Sequence, residues 1–300
     1  MRNKLYASLL VVALLISVKS YSQSDSSLIA MLDGSAQDVD YTYATFKTNR
    51  IINLHSIENT AAGVLDVKIS HRFGLINQGL YDIFGLDAAQ MHLNFDLGLT
   101  DRLAIGVGRT SLDKAYNGFV KYKILKQSTG SKNMPVSVSF AAGTVIKTSR
   151  SLDPDPGNTF WYRVYYDFGL LIARKFSENF SLQVTPTLVH RNLVRTAEEK
   201  NDVFAIGVGA RQKLTRRMSI NAEYIYVLPG QLAPDKLNSL SVGLDIETGG
   251  HVFQLHFTNS QGMNENAFIT ETINRWDKFE FRFGFNLSRV FTLWEPAIRD

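Results

Sequence analysis

Six histidines, His55, His71, His92, His190, His251 and His256, are the first residues of this 300-residue chain to invite a chemical reading. A Ser-His-Asn set can hydrolyse esters when the imidazole takes the serine proton. His92-x-Asn94 supplies two of the three types, and His251 and His256 lie close together in sequence. No G-x-S-x-G or comparable nucleophile signature accompanies them, so they read as strand or rim histidines. The repeated "AIGVG" (104–108 and 205–209) carries two glycines of a dinucleotide loop, but Ser111 and Gln212 stand where the third glycine belongs. Such a loop also needs a following helix, and strand patterns flank both copies. In "SLDPDPGNT" (151–159), Asp153, Asp155 and Asn158 have the oxygen chemistry of a calcium loop. The glycine at the sixth position and the distal glutamate of an EF-hand are missing, which leaves a proline-rich turn. No catalytic residue, metal or cofactor is implied.

The remaining candidates are charges. Lys68, Arg72, Lys121, Lys123, Arg163, Arg211, Lys213 and Arg282 stand against Asp66, Asp96, Asp167, Glu223, Asp245, Glu247 and Glu280, in nearly even balance. Each falls on the small or polar side of an alternating pattern. In 65–73, Leu65, Val67, Ile69 and Phe73 alternate with Asp66, Lys68, Ser70 and Arg72; in 202–214, Phe204, Ile206, Val208 and Leu214 oppose Ala205, Gly207, Gly209, Arg211 and Lys213. Period two means strand, because successive side chains point to opposite faces. Similar patterns give twelve strands, at 65–73, 89–99, 103–110, 117–126, 135–145, 160–174, 180–190, 202–214, 218–228, 237–247, 251–259 and 279–288. "RIINLHSI" (50–57) and "DYTYATF" (40–46) would make fourteen. Pro186 cannot donate to a ladder, which predicts a bulge or bend within its strand.

Most of these strands are longer than the usual soluble strand of about five or six residues and near the roughly 9–11 that cross a bilayer when tilted. Their second rows mix charges with Gly, Ala and Ser, as a lumen does. Short turns at 100–102, 177–179, 215–217 and 248–250, with a longer one at 127–133, alternate with longer links at 74–88, 111–116, 146–159, 191–201, 229–236 and 260–278. The expectation is an all-β, antiparallel, up-and-down transmembrane barrel, with bulky rows on lipid and the charged residues above lining the lumen. Tyr116, Phe160, Trp161, Tyr162, Phe176, Phe180, Tyr224, Tyr226, Phe291 and Trp294 suit interfacial girdles.

Composition agrees. Hydrophobic residues make up 45% and charged residues 20%, and there is no cysteine, which excludes disulfide frameworks and thiolate sites and suits an oxidising compartment. Arg2 and Lys4, the apolar run 5–18 and "SYS" (20–22) read as a signal peptide cut near Ser22. Its removal takes the formal charge from +4 to +1, and with it the case for nucleic acid. The organisation is then a signal peptide at 1–22, a periplasmic or plug segment at 23–63 containing a short amphipathic stretch (26–34), and a barrel at 64–300.

The stretches "TFKTNRIINLHSIE" (45–58), "GVLDVKISHRFG" (63–74) and "GLTDRLAIGVGRTSLDKAYNGFVKYKILKQ" (98–127) resemble an uncharacterised family of porin-like Gram-negative outer-membrane β-barrels. The resemblance covers most of the mature chain and implies fold and location, with no catalytic motif. Three functions follow as expectations. The first is a passive channel or transporter for small solutes, in contact with outer-membrane lipid. The second is a non-conducting accessory barrel that binds a periplasmic protein through residues 24–57. The third, a lipid-modifying enzyme, requires a serine near His92 or His256 on a lipid-facing surface.

Overall fold

The computed structural model describes residues 38–149, 160–194 and 196–295. The signal segment, the 26–34 stretch and the 151–159 turn lie outside the described residues. From Asp40 onward the chain is organised around a closed antiparallel barrel of twelve strands. They are β1 (Val64–Leu75), β2 (Ala89–Gly98), β3 (Leu103–Thr110), β4 (Tyr116–Leu125), β5 (Ser137–Ile146) and β6 (Val164–Lys175). The second half comprises β7 (Phe180–Arg191), β8 (Asp202–Lys213), β9 (Met218–Val227), β10 (Ser239–Thr248), β11 (His251–Thr258) and β12 (Arg282–Thr292). Each strand pairs with its sequence neighbours, and β12 closes the ring on β1 from Thr292↔Val64 to Arg282↔Leu75. Closure leaves no edge strand in the barrel wall; a separate two-stranded sheet pairs Val39–Tyr41 with Ser128–Gly130.

The alternation sorts the side chains as the period requires. On β1, Asp66, Lys68, Ser70 and Arg72 are buried inside, whereas Ile69 is exposed outside. On β8, Phe204, Ile206 and Val208 are exposed while Ala205 and Arg211 are buried. The girdle aromatics are exposed at the strand ends, with Phe176, Phe180, Phe291 and Trp294 at the end bearing the short turns and Tyr116, Phe160, Trp161, Tyr162, Tyr224 and Tyr226 at the long-loop end.

Three expectations need correction. The fourteen-strand count fails because Arg50–Ile57 is not a wall strand; it lies within the barrel, buried on all sides. Pro186 causes no register shift. Its partner across the β7–β8 ladder is Ile206 in unbroken register, and its missing donor shows only as an unpaired interval on the β6 side, between Gly169↔Thr187 and Ile172↔Val184. The last strand begins at Arg282 rather than 279, because Phe279 takes a left-handed φ of 57° after a single 3-10 turn and a bulge separates Arg282 from Gly284.

Candidate functional site

The barrel's interior is occupied from both ends. From the short-turn end the chain rises as a finger, reverses at its tip and returns to enter β1. Antiparallel pairing of Arg50 with His55 and hydrogen bonds from Ile51 N to Leu54 O (2.8 Å) and Ser56 N to Asn49 O (3.0 Å) make it a tight hairpin. At its base, Gly63 N donates to Gly98 O at 2.9 Å, and a Cβ on Gly98 would collide with the backbone of Ala61. A glycine is therefore required where finger and wall meet.

From the long-loop end, the β11–β12 connection folds inward around a short helix, α1 (Glu265–Thr270), every residue of which is buried. Asn264 caps it, its Oδ1 accepting from Ala267 N at 3.0 Å, which satisfies an amide at the helix start.

One side of the finger is apolar. Phe46, Ile51 and Ile57 pack with Ala141, Leu171 and Ala173 of β5 and β6. Leu54 joins Val189, Val203, Ala205 and Ile225 of β7–β9 with Phe268 and Ile269 of α1. Burying each large apolar side chain contributes roughly 1.5–3 kcal/mol before the cost of ordering it. The second "AIGVG" makes room for this packing, since a Cβ on Gly207 or Gly209 would press on Leu54 or Ile51. In the first copy, Cβ atoms on Gly106 and Gly108 would meet wall side chains instead, Phe119, Asp96 and Asn94.

The other side is polar, and here the charged row finds its partners. The Glu223 carboxylate, on β9, is 2% exposed and accepts from three successive finger amides, Ile52 N (3.1 Å), Asn53 N (2.9 Å) and Leu54 N (3.1 Å), and from Asn53 Nδ2 (2.6 Å). Arg72 Nη2 donates to Asn53 Oδ1 (2.6 Å), while its Nη1 donates to the carbonyls of Ser260 (3.1 Å) and Gly262 in the inward loop. Lys68 and Asp96 hold the two ends of the Asn49 side-chain amide. Lys121 Nζ donates to the carbonyls of Ser56 (3.2 Å) and Glu58, and Arg211 Nη1 to those of Ala44 (3.1 Å) and Thr45 (3.3 Å). Asp245 accepts from Gln254 Nε2 at 2.7 Å, and the same amide donates to Ile51 O. Asp167 lines a small void beside His55 and Glu265.

Several expected lumen residues stand apart, Glu280 among them, in the loop before β12, where its carboxylate accepts from Arg275 N at 2.8 Å. Arg163 precedes β6, in a 3-10 turn, and its Nη1 donates to Ser149 O at 3.2 Å. Lys123 is half-buried at the β4 bulge, and the half-buried Arg282 donates to Phe73 O from the bulge on β12.

The two insertions meet in a contact the sequence did not reveal, an ion pair between Arg50 of the finger and Glu265 of α1, with His55 Nε2 3.4 Å from the same carboxylate. A cavity of about 460 Å³ opens beside the finger at the short-turn end and one of about 240 Å³ at the long-loop end. Two voids inside the barrel measure only about 10 and 20 Å³, room for about one water each. The charged row thus clamps a finger rather than facing an open passage, and of the two placements expected for 23–63, its described part from Thr45 to Ile57 takes the plug position.

His92 and His256 also point inward. His92 Nε2 lies 2.8 Å from Asn117 Oδ1, and both histidines are buried. The lipid-facing serine–histidine site required of a lipid-modifying enzyme is therefore not formed at either. Of the segment expected to bind a periplasmic protein, 45–57 lies within the barrel, and 24–37 is outside the described residues.

No curated protein matches the chain. Among solved structures it is similar to the NanC porin (8% identity over 76% of this chain and 98% of that one, TM-score 0.47). It is also similar to an outer membrane channel from Pseudomonas putida F1 (12%, 78% and 98%, TM-score 0.45) and to the outer membrane protein Omp33 of Acinetobacter baumannii (9%, 76% and 97%, TM-score 0.39). These likenesses are distant. Residues 46–291, from the finger to the last strand, match the model of the membrane-bound β-barrel domain DUF5777, and the chain belongs to that family.

Proposed function

We propose that the protein is an outer-membrane transport barrel for small polar solutes, closed in the state described and opened by displacement of the finger. The observation that carries this reading is what fills the lumen. Eight strands enclose a space that wall side chains can fill, and the interior widens with strand number. Here twelve strands enclose space taken up by two chain insertions. A wall with Lys68, Arg72, Asp96, Lys121, Arg211 and Glu223 on it would hydrate if the finger left, because each of its bonds to the finger can be exchanged for one to water.

Planar-bilayer recording tests the proposal. The full chain should be closed most of the time, and a variant with 45–58 replaced by a short Gly-Ser linker should show stepped conductance. The occupation of the lumen from both ends favours one other reading, a non-conducting accessory barrel. A finger-less variant that keeps its heat-modifiable fold but stays silent would establish that reading instead.

A further inference from the structure

The tip of the finger has the form of a receptor. Three consecutive amides converge on one carboxylate, with the Asn53 side chain as a fourth donor. Successive backbone N–H groups pointing into one concavity form an anion-binding nest, and charge-assisted hydrogen bonds to a carboxylate are among the strong ones. Its occupant belongs to the protein itself, the side chain of Glu223.

The surroundings favour an anion beyond that one carboxylate. Arg50, Lys68 and Arg72 line the small void next to Ile52 and Asn53, and two guanidinium nitrogens there, Arg50 Nη2 and Arg72 Nε, have no hydrogen-bond partner among the described residues. Both side chains are more than nine-tenths buried. Unpaired donors of this kind are costly, and an acceptor that enters as the finger loosens would satisfy them.

We propose that the finger tip is a carboxylate-binding site occupied by Glu223 as an internal ligand, and that small carboxylate solutes compete for it and loosen the finger. This rests on the transport reading and names the class of solute. The carboxylate exchanges one set of donors for another, so no bond is made or broken beyond hydrogen bonds. The apolar packing on the far side of the finger limits the effect to partial release.

The chain has no cysteine, so Ser56→Cys creates a single label site on the finger, buried in the closed state. Its rate of reaction with a small methanethiosulfonate reagent reports finger release whether or not the barrel conducts, so failure here is distinguishable from failure of the transport reading. Adding Glu223→Ala to this background should raise the rate by about ten-fold, the scale for losing hydrogen bonds to a charged group. Acetate matches the deleted CH2–COO⁻ and should slow labelling again in that variant, while accelerating it when Glu223 is intact. Glu223→Gln, which keeps shape and one acceptor, should fall between, and retention of heat-modifiable migration shows that each variant is folded. An unchanged rate in Glu223→Ala, no response to acetate, or an equal response to chloride at matched ionic strength would overturn the proposal.

Discussion

Arg50 and Glu265 are the residues through which the two insertions hold each other, and their side chains are 5% and 10% exposed. Arg50 Nη1 also donates to Asn53 O at 2.7 Å, bracing the hairpin turn, and its guanidinium lies 5.9 Å from the Phe119 ring centroid. Removing one partner of a buried pair leaves an uncompensated charge and costs roughly 3–5 kcal/mol. Arg50→Ala should lose stability on that scale in denaturant titrations of vesicle-reconstituted protein. The double variant with Glu265→Ala should lose clearly less than the two single losses together; additive losses would show the pair to be uncoupled. Neither residue could be singled out beforehand. Lys68, Arg72, Asp96 and Glu223 fall on an alternating row, so their direction was legible. Arg50 and Glu265 lie in segments without a period, and their separation by 215 positions gives no local signal.

At the scale of elements, the wall was legible and its contents were not. Lipid outside and a lumen inside impose a strict two-residue period on a strand, and all twelve strands emerged within a few residues of their ends. The finger obeys no such rule. "RIINLHSI" is enclosed on every side, Ile51, Leu54 and Ile57 against one part of the wall, Asn53 against another and Arg50 against the inward loop, so its weak alternation looked like a poor strand. The inward loop carries only a faint sign, an asparagine cap before a short apolar run in an amide-rich stretch.

That loop is also tied from outside the membrane-spanning strands. Lys147, just beyond β5, contacts Asp113 at 2.8 Å and Glu271 at 2.6 Å, joining three connections. Burial alone would lower its pKa, but the two carboxylates outweigh burial and hold it above the ordinary lysine value. A group with a raised folded pKa stabilises fully below its unfolded value, near ~10.4 for lysine, and that contribution disappears as pH climbs through the folded value. Protease accessibility of the 259–275 loop should therefore stay constant up to about pH 10 and increase above it. Lys147→Gln should produce the same increase at neutral pH.

For the molecule as a whole, the decisive statement is that its outer face meets lipid. Val208, near the middle of β8, is 38% exposed on that face. An arginine on the lipid face near the bilayer midplane costs about 2–4 kcal/mol in barrels of this kind. Val208→Arg should lose that much stability in vesicles, measured by reversible unfolding, and the loss should shrink for Phe204→Arg nearer the strand end. Equal, small effects at both positions would mean that this surface faces water.

Arg72 has a further consequence. One guanidinium, 1% exposed, grips Asn53 of the finger and the carbonyls of Ser260 and Gly262. Neither obstruction can be withdrawn without stripping that cation of part of its coordination in the barrel's interior. Retreat of one destabilises the other, so on the transport reading proposed above the interior should clear in a concerted step, with a single unitary current level in place of a ladder of sublevels.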